Sequence, residues 1–459
     1  TDADRNVAIG RNALTRDTLG SKTVAVGYGT LETQNFTTAT DSFNVAVGYN
    51  AGAVLTTGVS NTLVGALAGE DTTTGNNNTA LGRRALNTNT TGTSNVAVGV
   101  DALFANTTAN NNTAIGVDSL FDNTTGALNV AIGVESLANN TTASSGTAIG
   151  YQALFSNTTG DTNTAVGQWT LYDNTTGDNN VAVGRDALQN NTTANLNTAV
   201  GVGSSFTNTT GTENTSIGAF ASYYNTTGDF NVSVGKNALT SNTTASNNVA
   251  VGYQAAYSNT TGTQNTALGV GSLKANTTAS FNTAVGYNAG VANTTGTKNA
   301  FFGSYTGDAN TTGDNNTAIG QAALSANTTG DNNTALGNDA LISNTTADNN
   351  VAVGYKAAQD STTGTGNVAL GSFAATNATT PNELVAVGHN AAGLGVLTGN
   401  SNTLIGSYSG YDMTSGNQNT AVGQATLFET TTGALNAALG YQATRNVTTG
   451  GDVTAVGAY

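Results

Sequence analysis

Residues 95–111 read Asn-Val-Ala-Val-Gly-Val-Asp-Ala-Leu-Phe-Ala-Asn-Thr-Thr-Ala-Asn-Asn, and the same pattern begins again at Asn112. The glycine that closes each Asn-x-Ala-x-Gly segment, here Gly99, is called the landmark glycine. It recurs every 17 residues from Gly48 to Gly388, and the chain contains 27 copies. Self-similarity at a fixed period is the signature of a repeat architecture, so the repeat decides the fold before local propensity is considered.

Each copy predicts one coil of a parallel β-solenoid. Gly, Asn and β-branched Thr recur too often for a helix, whereas short apolar runs bounded by Asn and Gly are typical of buried strands. A strand this short is unstable alone, but stacking the copies about 4.8 Å apart gives every backbone N–H and C=O a partner. The sequence therefore predicts an all-β solenoid with one coil per 17 residues, about 125 Å long over about 26 coils.

Fixed positions within the repeat carry distinct predictions. The landmark glycine never varies, which indicates a positive φ or a backbone contact too close for a Cβ atom. Alanine stands two residues before it in 22 of 27 copies, flanked by apolar residues or Thr, as in Val130-Ala131-Ile132. Because this strand is apolar on both faces, both are expected to be covered. We expect one face to fill the coil and the alanine face to allow another chain to approach.

An asparagine four residues before the landmark glycine, such as Asn95, is present in 23 of 27 copies. Stacked in register, these side chains would form a ladder whose amides bond along the stack. The alternative is a turn residue that tolerates positive φ and has no further role.

Three regions differ in how closely they follow the repeat. We predict irregular N-terminal coils over 1–65 with a surface loop near 31–43, regular repeats over 66–354, and degenerate repeats of the same solenoid over 355–459. The loop prediction follows from a four-residue surplus between Gly27 and Gly48.

Composition narrows the class of protein. The net charge is −15 and no basic stripe exists, which argues against nucleic acid as a partner. No cysteine is present, so neither disulfides nor thiolate metal sites are expected. No apolar run approaches a membrane span, and no signal peptide is recognisable. Because the chain begins at Thr1, we expect a processed product or part of something longer. The absence of cysteine fits an extracellular protein stabilised by stacking, so we expect an extracellular or cell-surface location.

The segment Thr147-Ala148-Ile149-Gly150-Tyr151-Gln152-Ala153, repeated along the chain, resembles the head domains of trimeric autotransporter adhesins. Their repeats carry similar Ala-Ile-Gly strands and Gly-x-x-Ser/Ala turns. The resemblance implies a left-handed parallel β-roll, three chains packed by their inner strands, and a role in attachment at the cell surface. Phage and other extracellular fibres could use the same coil.

Asn-Thr-Thr is the most informative surface motif, because it lies seven residues after the landmark glycine in 16 consecutive coils. Each copy is an Asn-x-Thr glycosylation acceptor, and solenoid corners are expected to be exposed. The alternative is turn chemistry alone, and the Thr hydroxyl is another attachment point. The candidate glycosylation sites are Asn89, Asn106, Asn123, Asn140, Asn157, Asn174, Asn191, Asn208, Asn225, Asn242, Asn259, Asn276, Asn293, Asn310, Asn327 and Asn344.

Two other ligands are weaker candidates. Stacked threonines can order water on an ice-binding face, but adjacent residues such as Thr107 and Thr108 point to opposite sides of a strand. Calcium could bind Gly-Asp-Asn turns at Asp178, Asp314 and Asp331, yet many coils lack the aspartate.

The single histidine and the single tryptophan of the chain give little information about function. His389 has no His, Cys or clustered carboxylate nearby in sequence and is expected at the surface. Trp169 is expected to be a packing or exposed aromatic residue, with sugar stacking as the alternative. No catalytic motif is present, and a uniform repeat is expected to offer no concave pocket.

The sequence therefore predicts a structural extracellular fibre or adhesin shaft that self-associates, as a homotrimer or filament, and displays an Asn/Thr-rich, glycosylated ridge. We expect no cofactor and no enzymatic activity. The alternative function is an ice- or carbohydrate-binding solenoid that uses stacked threonines.

Overall fold

A computed structural model of the chain describes residues 4–458. It is an all-β parallel solenoid with one coil per 17 residues, as the sequence predicts. Two compact units make up the chain, the first ending at Phe230 and the second beginning at Asn231. The described residues contain no helix, and hence none that could span a membrane.

Each coil contributes one three-residue strand that ends just before the landmark glycine. A further parallel pair, Gly20–Ser21 with Thr40–Asp41, lies in the first unit. The coil strands of the first unit are Val7–Ile9, Val24–Val26, Val45–Val47, Thr62–Val64, Thr79–Leu81, Val96–Val98, Thr113–Ile115, Val130–Ile132, Thr147–Ile149, Thr164–Val166, Val181–Val183, Thr198–Val200 and Thr215–Ile217. Those of the second unit are Val232–Val234, Val249–Val251, Thr266–Leu268, Thr283–Val285, Ala300–Phe302, Thr317–Ile319, Thr334–Leu336, Val351–Val353, Val368–Leu370, Val385–Val387, Thr403–Ile405, Thr420–Val422, Ala437–Leu439 and Thr454–Val456.

Within each unit, consecutive strands pair in register, so that every side chain stacks on its counterpart one repeat away. Ala97, for example, pairs with Ala114. Both sequence-based reasons for the landmark glycine hold. Gly99 has φ of 139°, and a Cβ atom on it would overlap the carbonyl oxygen of Gly116 in the next coil. No other residue fits this position without moving the backbone.

The apolar interior of each coil is thin, and two of its positions set the space that is filled. One is the alanine of the strand, fully buried at Ala97 and Ala148, as predicted. The other is the residue four after the landmark glycine, most often a fully buried leucine such as Leu103. The alanine face thus lines the coil's own interior, so the expectation that another chain approaches it is wrong. The opposite face of the strand, with Val or Ile side chains, is the one left partly open to solvent.

Size at these two interior positions is complementary. Where Phe301 replaces the strand alanine, glycine replaces leucine at Gly290 and Gly307, and a Cβ atom at either site would lie against the Phe301 ring. Leu404 is matched in the same way by Gly410. Interiors are close-packed, so a large side chain at one position requires a missing side chain at the other.

The predicted loop near 31–43 is only partly a surface feature. Leu31, Gln34 and Phe36 are buried, whereas Asn35, residues 37–39, Asp41 and Phe43 are exposed. The chain then re-enters the stack through the short strand Thr40–Asp41. The division into regular and degenerate regions remains a prediction from the sequence.

Candidate functional site

The 16 asparagines of the Asn-Thr-Thr motif lie inside the solenoid, and each is at most 1% exposed. We call this column the turn ladder. The Nδ2 group of Asn106 donates one hydrogen bond to Oδ1 of Asn89 in the preceding coil, at 2.9 Å, and another to the carbonyl oxygen of Ala109, at 3.2 Å. Asn123 repeats both bonds one coil later.

The premise of the glycosylation prediction, that these asparagines are exposed, is therefore wrong. A glycan on Nδ2 would remove one of the two N–H donors that the ladder uses and would have to occupy a close-packed interior. In the folded chain none of the 16 candidate sites has room for a sugar. The alternative interpretation, a turn in which Asn and Gly supply a left-handed backbone, agrees with the structural role of the motif but is wrong about the backbone, because neither Asn123 nor Gly126 has a positive φ.

A second asparagine column, the strand ladder, runs through the residues four before each landmark glycine. The backbone N–H of Asn112 donates to Oδ1 of Asn95 at 2.9 Å, which confirms the predicted ladder along the stack. The Nδ2 group of Asn95 donates to the carbonyl oxygen of Ala109 at 2.8 Å. This is the same oxygen that Asn106 of the turn ladder contacts, so one carbonyl joins the two ladders in each regular coil.

The two threonines of the motif have different roles, the first in the fold and the second at the surface. Thr107 is half-buried, and its hydroxyl donates to the carbonyl oxygen of Thr124 in the next coil at 3.1 Å. Thr108 is exposed. The second threonines, such as Thr108 and Thr125, form a column one residue wide that we call the threonine column.

The aspartates considered for calcium take part in a third ladder. Oδ1 of Asp314 accepts the backbone N–H of Thr297 at 2.6 Å, and Oδ1 of Asp331 accepts that of Asp314 at 2.7 Å. Asn, Asp or Ser can each supply this acceptor, which explains why aspartate is absent from many coils. Within residues 4–458 no group of three His, Asp or Glu side chains is placed to hold a metal ion.

Beside the landmark glycines lies an exposed apolar strip, formed by the residue just before each of them and, in some coils, by an apolar residue just after. Ile115, Val117, Ile132 and Val134 are between 36% and 42% exposed. The residue before the landmark glycine is apolar in every coil, whereas the residue after it is Val or Tyr in some coils and polar or charged in others, as at Arg83, Gln168 and Arg185. A contiguous exposed apolar patch of this kind is typical of a protein interaction surface.

Five residues after each landmark glycine lies another outward column, which is aromatic in part of the first unit. Phe104 stacks on Phe121 with ring centroids 5.1 Å apart, and Phe155 stacks on Tyr172 at 5.2 Å. Ala138 stands between the two pairs. The column therefore lacks one ring at this coil.

A groove of about 300 Å³ opens at this missing ring, so the expectation that a uniform repeat offers no concave pocket is wrong here. Its lining includes Arg84 and the carboxylates of Asp101, Asp118 and Glu135. Arg84 binds Asp101 through two hydrogen bonds, of 2.7 and 2.5 Å. Partial burial, followed by repulsion from Asp101 and Glu135, raises the pKa of the Asp118 carboxyl above its ordinary value.

The two singled-out aromatic residues differ in their surroundings. Trp169 is half-buried; its Nε1–H donates to Oε1 of Gln152 at 2.9 Å, and its ring meets Tyr151 edge to face. Nε2 of Gln152 in turn donates to Oε2 of Glu135 in the groove. His389 is exposed, as predicted.

No family model matches the chain, and comparison with curated proteins finds no match. The resemblance to adhesin heads therefore rests on the repeat motif alone.

Proposed function

We propose that this chain is a structural element of an extracellular fibre or adhesin shaft. One observation carries the proposal: nearly every buried polar side chain of the regular repeat is used to join one coil to the next. The turn ladder and the strand ladder both do this, as does the first threonine of each motif. A stack joined at so many points in each coil resists bending and fraying, which is what a spacer requires.

Self-association through the apolar strip is the second part of the proposal. Ile115 and Ile132 lie on the strip, where a second copy in register would cover a repeating row of aliphatic side chains. A homotrimer or filament would hide this row from water, at about 25 cal/mol for each Å² of apolar surface covered.

The exposed threonine column is the surface this fold leaves for attached sugars. The hydroxyl of Thr108 faces solvent, whereas the neighbouring Asn106 is enclosed. Any glycan on the native ridge is therefore expected on threonine oxygen. The intact mass of the native material, compared with the 45.6 kDa of the bare chain, tests this point.

Electron microscopy and sedimentation of the purified chain test the proposal as a whole. We expect elongated particles about 125 Å long for each copy and a mass of several copies. Ile115→Lys with Ile132→Lys should reduce the assembly to single copies, whereas the matched control Thr108→Lys with Thr125→Lys should leave it intact. Compact particles, or a single copy for the unmodified chain, would rule the proposal out.

Ice or carbohydrate binding by the threonines is the alternative function, and the hydrogen bonding counts against it. The hydroxyl of Thr107 donates to the backbone, so only the second threonines, in a single column, remain available for binding. An ice-binding face would need a flat array of at least two such columns. A thermal-hysteresis measurement on the purified chain tests this function directly.

A further inference from the structure

At Ala138 the column of stacked aromatic rings lacks one ring, and the groove takes its place. Phe121 and Phe155 lie two coils apart, about 10 Å at the spacing of stacked strands. The neighbouring rings of the column lie 5.1 and 5.2 Å apart. A flat group placed midway would thus meet a ring on each side at the column's own spacing. Ala138 itself, 6% exposed, forms the floor of the gap.

The groove is lined by more negative than positive charges. Arg84 and three carboxylates line the groove, and Arg84 is bound to Asp101. Within residues 4–458 the carboxylate of Asp118 accepts no hydrogen bond, and Glu135 accepts one from the neutral Gln152. Arg84 attracts the Asp118 carboxylate from nearby, but in the part of the chain that the structure describes neither Asp118 nor Glu135 forms an ion pair, so a cation entering the gap would meet two carboxylates without a direct cationic partner.

The chain itself shows which cation fits such a column. The guanidinium of Arg84 lies over the Phe104 ring, 5.2 Å from its centroid, while it binds Asp101. In the second unit, the guanidinium of Arg445 lies over Phe428, also at 5.2 Å, in the same outward column. An ammonium can also lie over a ring, as that of Lys22 does over Phe43, but only a planar guanidinium stacks flat on an aromatic face and binds a carboxylate through two parallel hydrogen bonds.

We propose that the gap between Phe121 and Phe155 is a binding site for a guanidinium group. The group lies between the two rings, as Arg84 lies on Phe104, and donates to the carboxylates of Asp118 and Glu135. The guanidinium comes either from a free alkylguanidine or from an arginine side chain of another protein. This inference goes beyond the structural role and does not depend on it.

The only tryptophan of the chain gives the site a direct readout. Trp169 donates to Gln152, and Gln152 donates to Glu135. A guanidinium that binds Glu135 competes for the oxygen that Gln152 contacts, and the environment of the indole changes with it. Fluorescence titration is therefore paired with calorimetry, which detects binding even where the indole does not respond.

The titration uses the full chain at a salt concentration of about 150 mM, so that non-specific attraction is screened. The probes are agmatine and the tripeptide Gly-Arg-Gly, with 1,4-diaminobutane and Gly-Lys-Gly as ammonium counterparts of equal charge. We expect saturable binding of at least one guanidinium probe, about tenfold tighter than its ammonium counterpart. Tighter binding of agmatine identifies a free alkylguanidine as the ligand, and tighter binding of the peptide identifies an arginine side chain.

Two variants locate the binding in the groove. Ala138→Phe supplies the missing ring, as in the adjacent coils, and should abolish binding while the far-ultraviolet spectrum stays that of the unmodified chain. Glu135→Gln keeps an acceptor for Gln152 but removes the charge, and should weaken binding about tenfold. Ser325→Phe places a ring at the equivalent position of a coil in the second unit and should leave binding unchanged.

Three results would overturn the proposal. These are the absence of saturable binding by both guanidinium probes, equal affinity for guanidinium and ammonium, and binding that survives Ala138→Phe.

Discussion

The turn ladder ends at Asn344, and its last rung leads to a prediction of increased stability. Oδ1 of each ladder asparagine accepts from Nδ2 of the next, but the following coil has Ser361 in this place. Oδ1 of Asn344 and the hydroxyl of Ser361 are both buried and lack any hydrogen-bond partner. Two unsatisfied buried groups therefore lie on facing coils.

Ser361→Asn should extend the ladder by one rung. The new Nδ2 group would donate to Oδ1 of Asn344 and to the carbonyl of Gly364, three residues on, as Asn344 does to Ala347. The small residue Ala378 occupies the next coil in this column. An unsatisfied buried group costs about 1–3 kcal/mol, so we expect a gain of about 1 kcal/mol or more.

Hydrogen exchange at a single amide measures this gain locally, which matters because a long repeat array need not unfold in one step. The backbone N–H of Thr345 donates to the carbonyl of Thr362 and joins the two coils concerned. A gain of 1 kcal/mol slows its exchange about fivefold. Ser343→Asn, the same substitution one residue before Asn344 at a half-buried position, should leave the exchange rate unchanged.

A double-mutant cycle with Asn344→Ala separates the ladder from other effects of the larger side chain. Ser361→Asn should lose most of its gain once Asn344 is alanine, because Oδ1 is then gone. An undiminished gain in that background, or no slowing in the unmodified one, would refute the idea that the ladder bonds hold the coils together.

Three further perturbations test the interior, the landmark glycine and the groove. Phe301→Ala should lower the free energy of opening of its coil by about 3–5 kcal/mol in hydrogen exchange, whereas the outward neighbour Phe302→Ala should cost less than about 1 kcal/mol. Gly116→Ala combines a φ of 140° with a Cβ atom that overlaps the Gly133 carbonyl; it should destabilise by more than about 3 kcal/mol, and a stable variant would show that the backbone can move. Asp118 binds its proton more tightly in the folded chain because its pKa is raised, so its contribution to stability is present at low pH and lost as pH rises through that pKa; Asp118→Asn should therefore melt higher than the unmodified chain at neutral pH, with a difference that shrinks on acidification.

The sequence predicts those features of the fold that follow from residues repeated in every coil. The fixed spacing of glycines such as Gly99 gives the solenoid and its 17-residue coil, and an Asn-Ala-Gly strand that recurs in register gives the strand ladder. These predictions succeed because a parallel stack turns every fixed position of the repeat into a column.

Two properties of the fold could not be predicted from the sequence, because they contradict the usual conformational or burial preferences of the residues involved. Leu103 has φ of 53°, and its counterparts in other coils also lie in the left-handed region, where leucine is strained by about 1–2 kcal/mol. Burial of the leucine side chain, worth about 1.5–3 kcal/mol, offsets that strain. Asn106 likewise has the sequence of an exposed turn, and only the stack encloses it between two coils.

The groove could have been found from sequence by reading the repeat along its columns. Phe104, Phe121 and Phe155 recur at multiples of 17, and Ala138 is the one small residue among them. What the sequence alone does not give is the direction of these side chains. Outward direction turns a change of residue size into a cavity at the surface.

The difference between interior and surface positions helps to explain why Ala138, and not an aromatic residue, occupies its place in the column. Where the fold needs a small residue, as at Gly307 beside Phe301, the neighbouring side chain occupies the space. No such demand acts on Ala138, because Phe121 and Phe155 occupy the same position in the adjacent coils without disturbing either ladder. Stacked aromatic pairs contribute about 0.5–1.5 kcal/mol beyond their buried area, so stability alone would favour a ring here. A gap that packing does not require, lined by the carboxylates of Asp118 and Glu135, which form no ion pair within residues 4–458, supports the proposed guanidinium site.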